Sequence, residues 1–174
     1  MNKMNHKQTI EKPKILLVDD LPANLDILVE LLRDFQADLV TASSGKMALE
    51  LTREHEFALI LLDVQMPDLD GFETAKIILS RIDTPIIFLT AYGSEKQNII
   101  EGYTIGAVDY LVKPFDASIL KKKVSVFLLL YQQKSLLKQS NHRLNKEITE
   151  RREIEQKLIS AKSNLEHRVK ERTK

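Results

Sequence analysis

Four short apolar runs, each closed by a polar residue, constrain this chain more than any other feature. Ile15-Leu16-Leu17-Val18 stops at Asp19-Asp20, Ala58-Leu59-Ile60-Leu61-Leu62 at Asp63, Ile86-Ile87-Phe88-Leu89 at Thr90, and Tyr110-Leu111-Val112 at Lys113. Runs this short, apolar throughout rather than alternating, read as strands buried on both faces, the habit of parallel sheets. Leu39-Val40-Thr41-Ala42 adds a fifth strand. Between the strands, apolar residues recur at helical spacing: Leu25, Leu28, Leu31, Leu32 and Phe35, then Met47, Ala48 and Leu51. Two further sets follow, Phe72 with Ile77, Ile78 and Leu79, and Ile99 with Ile100 and Tyr103. Five strands alternating with five helices predict a doubly wound α/β fold, a parallel sheet with helices on both faces and right-handed crossovers. In such a sheet all carboxyl ends point one way, toward the crevice where open α/β sheets bind ligands. Asp19, Asp20, Asp63, Thr90 and Lys113 are therefore expected to converge on one rim.

Local punctuation agrees. Pro22 suits a first helical turn, and Ser43-Ser44-Gly45 opens the second helix. Met66-Pro67, Asp68 and Asp70-Gly71 supply turn chemistry after the Asp63 strand. Ser94-x-x-Gln97 is a capping-box pattern for a helix that Gly106 ends, and Asp116 is placed to cap the last one.

Three carboxylates about 4–5 Å apart repel one another by a few kcal/mol per pair at an effective dielectric near 20. Such a cluster calls for a cation or a proton. Oxygen donors alone favour a hard cation, and Mg²⁺ accepts a shell completed by water and phosphate oxygens. A carboxylate beside such a metal can attack phosphorus, while Lys113 and the Thr90 hydroxyl hold the remaining phosphoryl oxygens. The rim reads as a site that accepts a phosphoryl group on an aspartate.

Val18-Asp19-Asp20, Leu62-Asp63-Val64-Gln65-Met66-Pro67-Asp68-Leu69-Asp70-Gly71, Thr90-Ala91 and Tyr110-Leu111-Val112-Lys113-Pro114 together resemble the receiver domain of two-component response regulators. The likeness runs from about residue 14 to 132 and implies a flavodoxin-like (βα)5 fold. It implies Asp63 as the phosphoacceptor, served by a histidine kinase or a phosphotransfer protein. It implies Asp20 and Asp63 as direct Mg²⁺ ligands, Asp19 acting through water, and Gln65 offering its backbone carbonyl. Thr90 and Lys113 would bind phosphoryl oxygens, Thr90 and Tyr110 would form the switch pair, and Pro114 would follow a cis peptide bond. Gln65 and Tyr92 match positions that tune dephosphorylation.

Composition bounds the rest. The chain of 174 residues has no cysteine, which excludes disulfides and thiolate chemistry. No apolar stretch approaches the roughly 20 residues of a membrane span, and the polar start MNKMNHKQTIEKPK has no signal-peptide core. A cytoplasmic protein with a loose leader at residues 1–13 is expected, followed by a receiver at 14–132. Residues 1–116 hold 11 Lys/Arg against 19 Asp/Glu, a net −8, whereas residues 117–174 hold 15 against 6, a net +9. The basic tail mixes its charges with acids at helical spacing, which speaks against nucleic acid as its partner.

From Lys121 onward 54 residues contain neither proline nor glycine. With Phe127 at heptad position a, position d falls on Leu130, Leu137, Leu144, Arg151, Leu158 and Leu165, and position a also takes Asn141, Ile148 and Val169. Arg151 interrupts the seam and Ile154 and Ile159 flank it, the mark of a stutter. Asn141 at a favours a parallel dimer in fixed register, in which Glu147 faces Arg152 of the other helix. A long helix extending into a dimeric coiled coil over 133–174 is expected. Within it Val124–Tyr131 is apolar all round and demands burial on more than one face. The tail is similar to the signalling helices that join receivers to output domains, and its closing LEHRVKERTK shows no terminus, so the output domain is expected outside this chain.

Three functions compete: a phosphorylation switch that is not itself an enzyme, a structural coiled-coil adaptor with an inactive receiver, and a Mg²⁺-dependent aspartate-nucleophile phosphatase. The phosphatase pattern requires Asp-x-Asp after the first strand, where this chain has adjacent Asp19-Asp20. His142 sits in NHRLNKE, without the acidic and Thr-Pro neighbours of a phosphorylated kinase histidine. The cognate kinase, the stimulus and the phosphoryl lifetime are not written in these residues.

Overall fold

A computed structural model describes residues 12–91, 106 and 109–172. The chain divides into two compact units, Met1–Tyr131 and Gln132–Lys174. The predicted leader lies almost wholly outside the described residues, as do the Ser94-x-x-Gln97 helix and Tyr92.

The first unit is built on β1 (Lys14–Val18), β2 (Asp38–Ala42), β3 (Leu59–Asp63), β4 (Ile86–Ala91) and β5 (Asp109–Lys113). They form one sheet in the order β2-β1-β3-β4-β5, and every neighbouring pair is parallel. Helices α1 (Pro22–Leu32), α2 (Gly45–Glu54), α3 (Gly71–Leu79) and α4 (Ala117–Arg172) are the described helices.

Period-two alternation divides each central strand between two cores. Leu16, Val18, Ile60, Leu62, Ile86 and Phe88 pack on one face with Ala48 of α2 and Phe72, Ala75 and Ile78 of α3. Ile15, Leu17, Leu59, Leu61, Ile87, Leu89 and Leu111 pack on the other with Leu25, Leu28 and Leu32 of α1 and Leu120, Val124 and Leu128 of α4. Both faces are covered, which is why the strand sequences lack the polar alternation of half-exposed sheets. Phe72 and Phe88 meet edge to face at 4.8 Å between ring centres, a favoured aromatic geometry.

Short polar side chains set the starts of α2, α3 and α4, whereas α1 starts on Pro22 without a side-chain cap. The Ser44 hydroxyl accepts the Met47 amide at 3.2 Å and the Asp70 carboxylate the Glu73 amide at 2.8 Å, each satisfying a donor that has no partner within the helix. Asp116 accepts the Ser118 amide at 2.6 Å, and hydrogen bonding from the Ser118 side chain, then from its amide, holds the carboxyl below the usual carboxylate range. A depressed native value means the cap adds stability above the unfolded pKa and loses it as pH falls. Asp68 takes a positive φ of 67° in the turn after β3, a conformation Asp tolerates better than most residues. Gly106, which the sequence marks as a helix end, has φ 97°, as a glycine terminator commonly does.

Within α4 the stretch Val124–Tyr131 is buried on one face only in the single chain, not on more than one as its composition predicts. Val124 and Leu128 are buried, Phe127 and Tyr131 pack partly against the same core, and Val126, Leu129 and Leu130 are exposed. The second unit keeps Leu137, Leu144, Ile148, Leu158, Leu165 and Val169 exposed. Glu147 pairs with Arg151 one turn on in the same helix, at 3.1 Å. Both side chains are more than half exposed, so the pairing is weak and exchangeable.

Gly71 fixes how closely α3 approaches the end of β3. A Cβ there would overlap the Asp63 carbonyl oxygen and lie 2.8 Å from Val64 Cα. These obstacles are backbone and cannot swing aside. Gly71→Ala is expected to destabilise the fold by about 1–3 kcal/mol, the usual cost of overpacking, measured by urea unfolding. A loss below about 0.5 kcal/mol would show that the β3–α3 junction relaxes freely.

Candidate phosphoacceptor site

The rim forms where β1, β3, β4 and β5 end together. Val18 lies beside Leu62 in the β1–β3 register, so the next residues, Asp19 and Asp63, are neighbours. Asp63 pairs with Leu89, and Thr90 follows on β4 opposite Val112. Lys113, opposite Ala91, is the last residue of β5. Asp19, Asp63, Thr90 and Lys113, all singled out from the sequence, thus meet on one edge of the sheet.

Asp19 is fully buried, Asp63 nearly so and Asp20 half-buried. One carboxylate oxygen from each can be chosen so that all lie within 4.8 Å of one another. Lys113 reaches across the end of β4 and places its ammonium between two of them, 2.7 Å from Asp19 Oδ2 and 2.8 Å from Asp63 Oδ1. Burial pushes the Asp63 carboxyl above the usual range; Lys113 draws it down, Asp19 and Asp20 push it up, and the net direction is upward. Burial works to lower the Lys113 pKa, yet its hydrogen bonds to Asp19 and Asp63 carry it above its ordinary value. Among the described residues one ammonium contacts two of the three carboxylates, and the cluster remains short of positive charge.

Thr90 is buried at the end of β4. Tyr110 is half-buried and packs at the margin of the core that holds Phe72 and Phe88. Gln65 is exposed in the loop two residues after Asp63. The Lys113–Pro114 peptide bond is cis.

One residue of the site escaped the sequence reading. Asn24, in the first turn of α1, donates from Nδ2 to both oxygens of Asp19, at 2.9 and 3.0 Å. The Leu21 amide adds a third contact, to Oδ1 at 3.0 Å. Nothing in the spacing of an amide five residues beyond an aspartate marks this role. It depends on how α1 leaves the end of β1.

The profile of the response regulator receiver domain matches residues 15–125. The chain belongs to that family. Relatives of this receiver include a probable cyclic di-GMP phosphodiesterase of Vibrio cholerae, 33% identical over 156 residues, covering 87% of this chain and 35% of the relative. The transcriptional regulatory protein SrrA of Staphylococcus aureus is 39% identical over 115 residues, covering 66% and 47% of the two chains. The receiver therefore spans less than half the length of these relatives. Among solved structures, the receiver domain of the Francisella response regulator 1452 aligns with TM-score 0.64 and 33% identity, covering 71% of this chain and 99% of its own. The receiver domain of an HD domain-containing protein from Pseudomonas fluorescens gives TM-score 0.66 at 27% identity, covering 70% and 98%. The fold is thus the flavodoxin-like one of receivers. Receivers bind Mg²⁺ at an acidic pocket and interact with histidine kinases or phosphotransfer proteins. The all-oxygen donor set of Asp19, Asp20 and Asp63 fits that ion. No described helix is long and apolar enough to cross a membrane.

The direction of the Asp63 shift has a consequence for stability. A carboxyl whose native pKa lies above its unfolded value contributes stability that is fully present below the unfolded value and is lost as pH rises through the native value, so at neutral pH its ionised form opposes folding. In EDTA at neutral pH, Asp63→Asn is expected to melt at a higher temperature than the unsubstituted chain. Saturating Mg²⁺ should shrink or reverse that difference. A lower melting temperature for Asp63→Asn in EDTA would mean that the Lys113 contact outweighs burial and repulsion.

Proposed function

We propose that this receiver accepts a phosphoryl group on Asp63 and passes the change through α4 to an output domain outside the chain. The reading is carried by the buried Asp63 at the end of β3, with two further carboxylates within 4.8 Å and the Lys113 ammonium at 2.8 Å. In the transfer an Asp63 carboxylate oxygen forms a bond to phosphorus. The bond from phosphorus to the donor's nitrogen or oxygen breaks, and its electron pair leaves with the donor. Asp20, Asp63 and the Gln65 carbonyl would hold Mg²⁺, with Asp19 acting through water, and the ion would supply charge neutralisation at the phosphoryl oxygens. Lys113 exchanges its contact with Asp19 for one with a phosphoryl oxygen, a charge-assisted bond of comparable kind. The Thr90 hydroxyl takes another. Thr90 drawn toward the phosphoryl group vacates space that Tyr110, already half inside, fills. The donor is a histidine kinase or phosphotransfer protein, and the chain acts as a switch rather than a turnover enzyme.

The output half of the proposal rests on the tail. Leu130, Leu137, Leu144, Leu158 and Leu165 are all exposed in the single chain, and a second copy of the helix in parallel register would cover them. The similarity to the Vibrio cholerae relative, at 156 residues, is longer than the 15–125 receiver match, so it includes part of the tail. The matched part is 35% of that protein's length, and the greater length of the relative suits a tail that leads to an output module.

Incubation with acetyl phosphate and Mg²⁺, followed by mass spectrometry, tests the phosphoacceptor. One phosphoryl group per chain on Asp63 is expected, with none after Asp63→Asn and a rate reduced at least tenfold in EDTA. Labelling that survives Asp63→Asn, or that maps to His142, would refute the assignment. Continuous release of phosphate without a labelled chain would favour the phosphatase, and no reaction at all the adaptor. For the tail, sedimentation of the full chain at high micromolar concentration should show a dimer. A chain ending at Gln132 should sediment as a monomer, and a monomeric full chain would exclude the coiled coil.

A further inference from the structure

We propose that Asn24 is a positioning residue for magnesium binding, acting through Asp19; the inference rests on the magnesium reading above. Asp19 has no exposed surface, so its carboxylate orientation is decided by the donors around it. Oδ1 accepts the Leu21 amide at 3.0 Å and Asn24 Nδ2 at 2.9 Å, while Oδ2 accepts Asn24 Nδ2 at 3.0 Å and Lys113 Nζ at 2.7 Å. Oδ1 is therefore turned toward the start of α1 and Oδ2 toward Asp63. The carboxamide touches both oxygens, so rotation of the carboxylate about its own axis breaks at least one contact. The amide must present nitrogen here, because its oxygen would face two carboxylate oxygens.

The division of labour between Asn24 and Lys113 gives the inference its content. Lys113 is the mobile donor, since it also serves Asp63 and is needed by an arriving phosphoryl group. Asn24 is neutral and, among the described residues, its carboxamide donates to Asp19 alone, so it stays. When Lys113 leaves, Asp19 keeps the Leu21 and Asn24 contacts on Oδ1 and is left with Oδ2 directed at the cluster. That is the oxygen able to receive a metal-bound water. Without Asn24 the buried carboxylate keeps, among the described residues, one fixed donor, the Leu21 amide on Oδ1, and its second oxygen loses the contact that fixes its direction. Partners that orient metal ligands in this way commonly carry a factor of about 10–100 in metal affinity. Asp19 acts through water, which argues for the lower end.

Isothermal titration of the full chain with MgCl₂, without any phosphodonor, reads this directly. Asn24→Leu keeps the branching of the side chain, at some cost in added volume, and removes the amide donor. Its Mg²⁺ dissociation constant should rise about tenfold, and acetyl phosphate labelling should return to within about twofold of the unsubstituted rate at saturating Mg²⁺. Asn24→Asp keeps the shape and sets a carboxylate against Asp19. Its melting temperature should fall in EDTA, and Mg²⁺ should raise it by more than in the unsubstituted chain. A side chain that merely fills space would leave both variants near the unsubstituted behaviour, or shift melting equally with and without metal. An Asn24→Leu chain of normal melting temperature whose Mg²⁺ affinity stays within twofold would overturn the proposal. If Asn24→Leu does not fold, the Mg²⁺-dependent melting of Asn24→Asp decides alone. Failure of the unsubstituted chain to bind Mg²⁺ would overturn the magnesium reading and this inference with it, whereas unchanged variants of a Mg²⁺-binding chain would remove only the role of Asn24.

Discussion

A single ammonium shared by two buried carboxylates holds the rim of the sheet together. Taking a carboxylate out of water costs several kcal/mol unless a charge or several donors replace the solvent. Asp19 is fully buried and Asp63 nearly so, and Lys113 lies within 2.8 Å of both. That contact is possible only because the strand order is β2-β1-β3-β4-β5 and every pairing is parallel. Lys113 must start from β5, cross the end of β4, and find acids from β3 and β1 at the same height. An antiparallel strand anywhere in this set would carry its functional residue to the opposite edge. The two apolar cores, one on each face, keep the strand ends in register and so keep the charges in reach.

The same arrangement leaves the site unfinished. Asp20 is a third carboxylate in the cluster, and the net upward displacement of the Asp63 pKa reflects burial and repulsion that Lys113 does not fully offset. A site that is stable but short of cations favours the arrival of a divalent ion. The lysine that stands between the acids is also the group best placed to meet an incoming anion once such an ion has taken over its neutralising role. Stability of the resting fold and readiness for phosphoryl chemistry follow from one geometry.

Much of this was readable from residue order. Continuous apolar runs ending at Asp19, Asp63, Thr90 and Lys113 led to a parallel sheet and to one convergent rim, because buried parallel strands leave little freedom in composition or direction. Strand edges were less plain: Asp38, Asp109 and Lys113 are charged yet lie within β2 and β5. Backbone pairing does not consult side-chain polarity at a strand end. At Asp109 the Lys123 side chain of α4 meets the carboxylate, a partner 14 residues away that no local pattern announces. Asn24 was invisible for a similar reason. A polar residue on the first turn of a helix is ordinarily solvated, and its grip on Asp19 arises from the angle between β1 and α1. In the tail, the heptad leucines were legible as an apolar row, and the row is exposed in the single chain. What covers it belongs to a second molecule, which the order of residues in one chain describes only through register and charge.

The central claim is that Lys113 holds the place of a cation among the acids and yields it when the phosphoryl site is filled. A crystal structure of the chain with Mg²⁺ and beryllofluoride tests this most directly. The account requires the fluoride group on Asp63 and a metal about 2.0–2.1 Å from carboxylate oxygens of Asp20 and Asp63. It also requires Lys113 Nζ bonded to fluoride and parted from Asp19. A complex in which Lys113 still bridges Asp19 and Asp63, or in which the metal binds away from these acids, would contradict it.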